Sequence, residues 1–142
     1  AYIKHDNKTE HEISEKLYDM LDSREFRTEL KESLELDDDK IFNTRLEIQI
    51  IVDKRGYKIS PHCDKNKYLT LLLYCPDDES YAEYGTELYD TSHNLIKKVK
   101  YLPNTAVLCH PVNGLTWHGV SQIEEDITRK SLQIFYKFMR NL

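Results

Sequence analysis

The sequence contains few of the residues that interrupt or cross-link a chain: four glycines, four prolines and three cysteines among 142 residues. So little Gly and Pro excludes a collagen-like or low-complexity chain, and a hydrophobic content of 39% is enough for one packed domain. Cys63, Cys75 and Cys109 are odd in number and lack CxxC spacing, which argues against a disulfide framework and a structural zinc site. We expect Cys75 and Cys109 to be buried thiols.

Long hydrophobic runs are also missing. The longest, YLTLLLY at 68–74, is far shorter than the roughly 20 residues that a membrane-spanning helix needs, and the first sixteen residues carry no apolar signal-peptide core. We therefore expect a cytoplasmic protein with no membrane partner. No block of Lys and Arg stands out, and the formal net charge is −5, so a nucleic-acid partner is not expected.

The first 36 residues are predicted to be helical. Apolar residues recur there at spacings of three and four in two groups: Ile13, Leu17, Met20 and Leu21, then Phe26, Leu30 and Leu34. Asp22 or Ser23 is placed to cap the second helix. The run LDDDK at 36–40 ends this region, because three adjacent aspartates repel one another and favour a solvated turn.

From residue 44 onward the period changes to that of strands. In TRLEIQIIV at 44–52, Leu46, Ile48, Ile50 and Val52 occupy one face and are expected to lie in the core. DKRG then predicts a hairpin turn into YKIS, with Gly56 at a positive φ. Further strands are predicted at 68–75, 86–90, 97–102, 105–110, 116–120 and 128–138. This pattern predicts a mainly β fold with N-terminal helices, an antiparallel sandwich or jelly roll.

Two residues at the head of the apolar run, His62 and Asp64 in SPHCD, have the spacing at which a strand repeats its side-chain direction. Both can therefore reach one metal ion. His118 in the strand-like segment TWHGV is the best third ligand, since His110 precedes a proline at a strand end and His93 lies in a turn signal. Two imidazoles and one carboxylate form the facial triad associated with non-haem Fe(II) and dioxygen chemistry.

Arg129 and Ser131 share one face of the last predicted strand, and Arg129 follows His118 by eleven residues. An arginine that points into a barrel is costly unless a carboxylate meets it, because an unpaired guanidinium forfeits its hydration. A dicarboxylate ligand would supply that partner.

With these motifs the chain resembles the Fe(II)- and 2-oxoglutarate-dependent oxygenases. The matching segments are YKISPHCD, GTELY, TWHGV and RKS, and the resemblance spans nearly all of 44–138. It implies that His62, Asp64 and His118 bind the catalytic metal, and that Arg129 and Ser131 hold the 5-carboxylate of the cosubstrate. The fold it implies is a double-stranded β-helix, a jelly roll. We expect a single domain over 1–142, with helical support at 1–36 and a jelly-roll core at 44–138.

The resemblance also implies an activity: Fe(II), 2-oxoglutarate and dioxygen hydroxylate a carbon centre of a small-molecule or peptide substrate, with release of succinate and CO2. Prolyl hydroxylases of this superfamily usually carry lysine at the position of Arg129, so that subfamily is matched less closely. Tyr57, Tyr68 and Thr70 are expected to add hydrogen bonds to the cosubstrate.

Two other readings stay open on the sequence. One is a catalytically inactive jelly-roll module that binds a metal or a partner, which the short chain favours. The other is a cupin-like metal enzyme such as an isomerase, in which Arg129 would hold a sugar acid or a phosphate. Substrate identity and oligomeric state are not encoded in any motif of this sequence.

Overall fold

Two helices open the part of the chain that the computed structural model describes, which comprises the backbone of 8–139 and the side chains of Glu12 and 14–139. They are α1 (Lys8–Asp22) and α2 (Arg24–Ser33). The Ser23 hydroxyl accepts a hydrogen bond from the Phe26 N–H at 3.2 Å, so the cap of α2 is Ser23, one of the two residues predicted for that role. Residues 1–7 of the predicted helical region, and the side chain of Ile13, lie outside the described residues.

Eight strands follow and form two antiparallel sheets of four strands each. The strands are β1 (Thr44–Lys54), β2 (Ile59–His62), β3 (Lys67–Tyr74), β4 (Glu87–Tyr89), β5 (Leu95–Lys98), β6 (Ala106–Cys109), β7 (Trp117–Val120) and β8 (Thr128–Phe138). The first sheet has the order β1-β8-β3-β6 and the second the order β2-β7-β4-β5. Short 3-10 helices at Lys40–Asn43 and Glu79–Tyr84 complete the described elements. The fold is therefore mainly β, with few helices, as predicted.

The predicted hairpin between 44–52 and 57–60 is wrong. β1 pairs with β8 over its whole length, whereas β2 pairs with β7, so the DKRG turn carries the chain from one sheet to the other. Gly56 does adopt a positive φ, 89°. The local turn signal was right, but the partner of each strand depends on segments that lie far away in the sequence.

The expected core face of β1 is only half covered. Leu46 and Ile48 pack in the core beneath α1 and α2, while Ile50 and Val52 are 44% and 51% exposed. The helices do not extend over this end of the sheet. The opposite face of β1 carries Ile51 and Asp53 toward the second sheet. The predicted alternation of side chains along β1 is therefore confirmed, but the expected burial of Ile50 and Val52 is wrong.

The helices are fixed to the first sheet by buried polar contacts. Arg27 is 6% exposed and donates to the Ile41 carbonyl, to Thr44 Oγ1 at 2.7 Å and to Asp22 Oδ1 at 2.6 Å. The Tyr136 hydroxyl of β8 donates to the Leu21 carbonyl at 2.7 Å. Each contact satisfies a polar group that would otherwise be buried without a partner. The helices are thus an integral layer of the fold.

Cys75 is exposed, which corrects the expectation of a buried thiol, because it lies just beyond the end of β3. Cys109 is half-buried at the end of β6. Along 8–139, no helix has both the length and the apolar character required to cross a lipid bilayer.

Candidate functional site

A cavity of about 370 Å³ lies between the two sheets. Seven of the eight residues that the sequence singled out line it: Tyr57, His62, Asp64, Thr70, His118, Arg129 and Ser131. They come from both sheets, from the connection between β1 and β2, and, for Asp64, from the connection between β2 and β3. We call this space the inter-sheet cavity.

Two imidazoles and a carboxylate converge at the inter-sheet cavity. His62 and His118 are register partners on β2 and β7, and their ring centroids lie 4.4 Å apart. One ligand atom from each of His62, Asp64 and His118 falls within 4.8 Å of the others. This spacing lets one metal ion contact all three side chains after small adjustments, and the donor set suits Fe(II).

Both imidazoles are oriented by backbone carbonyls. His62 Nδ1 lies 3.1 Å from the Ser60 carbonyl oxygen, and His118 Nδ1 lies 3.1 Å from the Thr116 carbonyl oxygen. A carbonyl oxygen only accepts, so each Nδ1 carries the proton and donates it. The lone pair of each Nε2 is then free for a metal, the arrangement that ligating histidines require.

Asp64 is held by two donors, one on each carboxylate oxygen. Lys67 Nζ donates to Oδ1 at 2.8 Å and Thr70 Oγ1 donates to Oδ2 at 2.8 Å. Burial opposes ionisation of Asp64, but these hydrogen bonds outweigh it and lower the pKa of the carboxyl below its ordinary value. The carboxylate is therefore charged and oriented before any cation arrives.

The pKa of His118 is lowered, chiefly by burial and further by the neighbouring His62. The hydrogen bond to the Thr116 carbonyl opposes the shift without cancelling it. Burial favours the neutral imidazole because an imidazolium would lose its hydration. The neutral form is the one that ligates metals.

Arg129 already has a carboxylate partner within the protein. Its Nη1 donates to Asp53 Oδ2 at 2.7 Å, and its Nε donates to the Tyr84 carbonyl at 2.8 Å. Arg129 is 2% and Asp53 4% exposed. The sequence reasoning missed Asp53, which it placed in a turn. The sequence did hold a sign of this placement: Asp53 lies two residues after Ile51 on the same strand, so both side chains point to the same side, into the cavity.

Two buried polar atoms at this end of the cavity have no partner within the described chain. They are Nη2 of Arg129 and Oγ of Ser131, which belong to residues two apart on one face of β8. A buried donor without a partner costs about 1–3 kcal/mol, so such atoms are seldom left unpaired in a folded protein. A ligand carboxylate would satisfy both atoms at once.

The three residues expected to assist the cosubstrate differ in placement. Tyr57 and Thr70 line the inter-sheet cavity, but Tyr68 does not. The Tyr68 hydroxyl instead donates to Asp38 Oδ1 at 2.7 Å, and its ring packs in the core. The pairing of β3 with β8 shifts register between Lys67 and Leu69, which explains why Tyr68 departs from the direction that strict alternation predicts.

The competing histidines lie elsewhere. His110 Nδ1 lies 2.7 Å from the Tyr68 carbonyl oxygen, and the ring packs edge-on against Tyr68. His93 is exposed at a positive φ of 63°, and its ring packs edge-on against Trp117 at 4.2 Å between centroids. Trp117 also reaches the rim of the cavity, and its Nε1 donates to the Gly114 carbonyl at 3.0 Å.

Solved structures resemble the chain in three dimensions. A prolyl-4-hydroxylase of Pseudomonas putida matches with a TM-score of 0.59 and 14% sequence identity over 81% of this chain and 61% of that one. An oxidoreductase of the 2OG-Fe(II) oxygenase family from Burkholderia pseudomallei matches with a TM-score of 0.58 and 13% identity over 87% of this chain and 57% of that one. The chain shares their fold.

The similarity to these two structures covers only part of their length and does not extend to the sequence. The chain spans about three fifths of the length of those two oxygenases. No family model matches the sequence, and no curated protein matches it. The resemblance is therefore one of tertiary structure, to proteins of the oxygenase superfamily that the motifs suggested.

Proposed function

We propose that this protein is an Fe(II)- and 2-oxoglutarate-dependent dioxygenase that hydroxylates a carbon centre and releases succinate and CO2. One observation carries the proposal. His62, Asp64 and His118 present ligand atoms within 4.8 Å of one another. In the same cavity, Arg129 Nη2 and Ser131 Oγ are buried without partners among the described residues. The first set fits the metal and the second fits the distal carboxylate of the cosubstrate.

The strand order supports the finer description of the fold. Sheets with the orders β1-β8-β3-β6 and β2-β7-β4-β5 are those expected of a jelly roll, the double-stranded β-helix. We propose one domain over 1–142, in which 1–36 supports a jelly-roll core at 44–138. Arg27 and Tyr136, which tie the helices to β1 and β8, support this division.

The chain's contribution to the reaction is to bind, orient and shield. His62 and His118 would ligate Fe(II) through Nε2 and Asp64 through a carboxylate oxygen, while Arg129 and Ser131 would fix the cosubstrate's far end. The bound iron and cosubstrate together supply the capacity to oxidise an unactivated C–H bond with dioxygen. The apolar walls of the inter-sheet cavity, such as Leu72 and Val107, limit the access of water.

The proposed substrate is a small molecule or a peptide, and the proposed setting is the cytoplasm. Membrane and nucleic-acid partners form no part of the proposal. In support, the formal net charge is −5 and no block of Lys and Arg stands out in the sequence.

Anaerobic titration with Fe(II) and 2-oxoglutarate tests the proposal. We expect binding of both and a visible metal-to-ligand absorption band. Asp64→Ala and His118→Ala should abolish the band, whereas Asp77→Ala and His93→Ala, which alter exposed residues of the same types, should retain it. Equal binding by all four variants would refute the site. A succinate-formation screen over peptides, amino acids and nucleosides then identifies the substrate.

A catalytically inactive metal-binding or interaction module is the second candidate. The observation that favours it is the ion pair between Asp53 and Arg129. Because Asp53 already neutralises the guanidinium of Arg129, that guanidinium attracts the carboxylate of a cosubstrate less strongly. Metal binding without 2-oxoglutarate binding, and without succinate release from any substrate, would support this candidate. Activity that does not require 2-oxoglutarate would instead support the cupin-like isomerase.

A further inference from the structure

The buried end of the inter-sheet cavity combines one cation with one anion. Arg129 Nη1 and Asp53 Oδ2 are 2.7 Å apart, and their side chains are 3% and 4% exposed. The pair is formally neutral. Arg129 Nη2 and Ser131 Oγ, which have no partner in the part of the chain that the structure describes, are nevertheless suited to an anionic or polar ligand group. A ligand carboxylate placed there would bring a second negative charge beside a single guanidinium.

Few charged or titratable groups interact with Asp53. In the described chain they are Arg129 on the neighbouring strand β8 and Tyr57 on the connection between β1 and β2. Burial raises the pKa of Asp53, and the charge and hydrogen bond of Arg129 oppose that shift without cancelling it. Burial also raises the pKa of Tyr57, and the Asp53 charge raises it further. Tyr57 therefore stays neutral and adds no second negative charge beside Asp53.

We propose that Asp53 determines which ligands the inter-sheet cavity accepts, because a distal carboxylate enters beside Arg129 and Ser131 only together with one proton, which Asp53 takes from solvent. The balance is simple: the Asp53 carboxylate and one proton give a neutral carboxyl group, and no other bond is made or broken. Arg129 then faces one ionised carboxylate, that of the ligand. The inference rests on the proposed function, since it takes 2-oxoglutarate to be the dicarboxylate.

The physical reason is the cost of two ionised carboxylates in one dry site. When two carboxylates share a site, the pKa of one rises strongly, and protonation of that group removes the repulsion. Asp53 is the carboxylate that becomes protonated, because burial already disfavours its charged form. A ligand without a distal carboxylate imposes no such requirement and needs no proton.

Calorimetry on the Mn(II)-loaded protein tests the inference without any catalytic turnover. Binding of 2-oxoglutarate and of 2-oxobutyrate, which lacks the distal carboxylate, is measured in two buffers that differ in ionisation enthalpy. We expect 2-oxoglutarate to take up about one proton and 2-oxobutyrate none. The Kd for 2-oxoglutarate should rise by up to about tenfold per pH unit on the alkaline side, while the Kd for 2-oxobutyrate stays constant.

Asp53→Asn removes the negative charge at position 53 and tests the effect of that charge alone. The amide oxygen still accepts a hydrogen bond from Arg129 Nη1, so the shape of the site is retained. We expect this variant to bind 2-oxoglutarate without proton uptake and at least about tenfold more tightly at pH 8, with its affinity for 2-oxobutyrate unchanged. The matched control is Asp77→Asn, which removes an exposed carboxylate paired with Lys130, the residue after Arg129, at 2.6 Å. It should behave as the parent does.

The outcomes separate the two proposals. If neither 2-oxo acid binds the Mn(II)-loaded protein, the proposed function fails and this inference fails with it. If 2-oxoglutarate binds without proton uptake, or if Asp53→Asn leaves its affinity and pH dependence unchanged, the inference alone is overturned. Should Asp53→Asn prove unfolded by circular dichroism, the comparison of the two ligands on the parent protein still decides.

Discussion

Gly119 lies against the backbone of β2 so closely that a Cβ placed on it would be 2.6 Å from the carbonyl oxygen of Ile59. No side chain fits in that space. Because Gly119 follows His118 directly, this close approach of β7 and β2 is what allows the imidazoles of His118 and His62 to lie 4.4 Å apart.

Gly119→Ala should therefore separate β2 from β7. We expect a loss of roughly 1–3 kcal/mol in the free energy of unfolding, together with weaker metal binding. Denaturant unfolding and Mn(II) titration measure the two effects. Gly114→Ala is the control, because no atom of the described residues lies within 4 Å of its Cβ position and its φ of 79° is what opposes a side chain. Gly114→Ala should lose stability through strain but keep the metal affinity of the parent; equal losses of metal affinity would contradict the argument.

Thr70→Val removes the hydrogen bond to Asp64 Oδ2 while it preserves the shape of the side chain. We expect metal affinity to fall by about 10–100-fold, because partners that orient a ligating carboxylate contribute that much. Titration with Mn(II) measures the change, and Thr91→Val at an exposed turn serves as the control. An unchanged affinity in Thr70→Val would show that Lys67 alone orients the carboxylate.

Arg129→Met should be strongly destabilising, since it leaves the buried Asp53 carboxylate without its partner. The expected loss is about 3–5 kcal/mol at neutral pH, measured by chemical denaturation. The double variant Arg129→Met/Asp53→Leu should recover much of this loss, because both charges are then gone. Lys130→Met breaks an exposed pair on the same strand and should cost far less. A double variant no more stable than the single one would show that packing, and not charge, dominates.

The metal-free protein should lose stability as the pH falls below about 6.5. The pKa of His118 is lowered from 6.5 in the folded state by burial, so the unfolded chain binds the proton more tightly. Acid therefore favours unfolding, from the ordinary histidine value down to the folded-state pKa. Thermal unfolding of the parent and His118→Gln between pH 7 and pH 5 measures this contribution. The substitution should flatten the pH dependence, and His93→Gln should not; equal slopes in all three proteins would refute it.

The helices and the sheets should unfold in one transition. Tyr136→Phe deletes the hydrogen bond from β8 to the Leu21 carbonyl of α1. We expect the free energy of unfolding to fall by about 1 kcal/mol, and we expect the helices and the sheets to lose this stability together. Circular dichroism, which follows the helices, and the fluorescence of Trp117, which lies on β7, should give coincident curves. Separate transitions would show that 1–36 is not an integral part of the domain.

Local patterns in the sequence determined a large part of this structure. Strand alternation and turn residues predicted eight strands close to their observed bounds, although the fifth was predicted at 97–102 and lies at Leu95–Lys98. The helical period and Ser23 predicted α2 and its cap. These features depend on neighbouring residues, and that is why a single sequence suffices to predict them.

The site was only partly determined in this way. The two-residue spacing of Arg129 and Ser131 predicted that they share a face, because direction along one strand is a local property. Which strands pair is not local: the turn at 53–56 looked like a hairpin, yet β1 pairs with β8 and β2 with β7. Tyr68 likewise left the cavity because of a register shift and an aspartate thirty residues away.

By itself, the sequence determined which residue types lie on a common strand face and therefore which side chains were available to a metal and a carboxylate. The tertiary structure alone decided that β2 lies against β7, which brings His62 beside His118, and that β1 lies against β8, which pairs Asp53 with Arg129. The physical reason is that these contacts join residues 56 and 76 positions apart, and each arises only after the distant strands that carry it have paired.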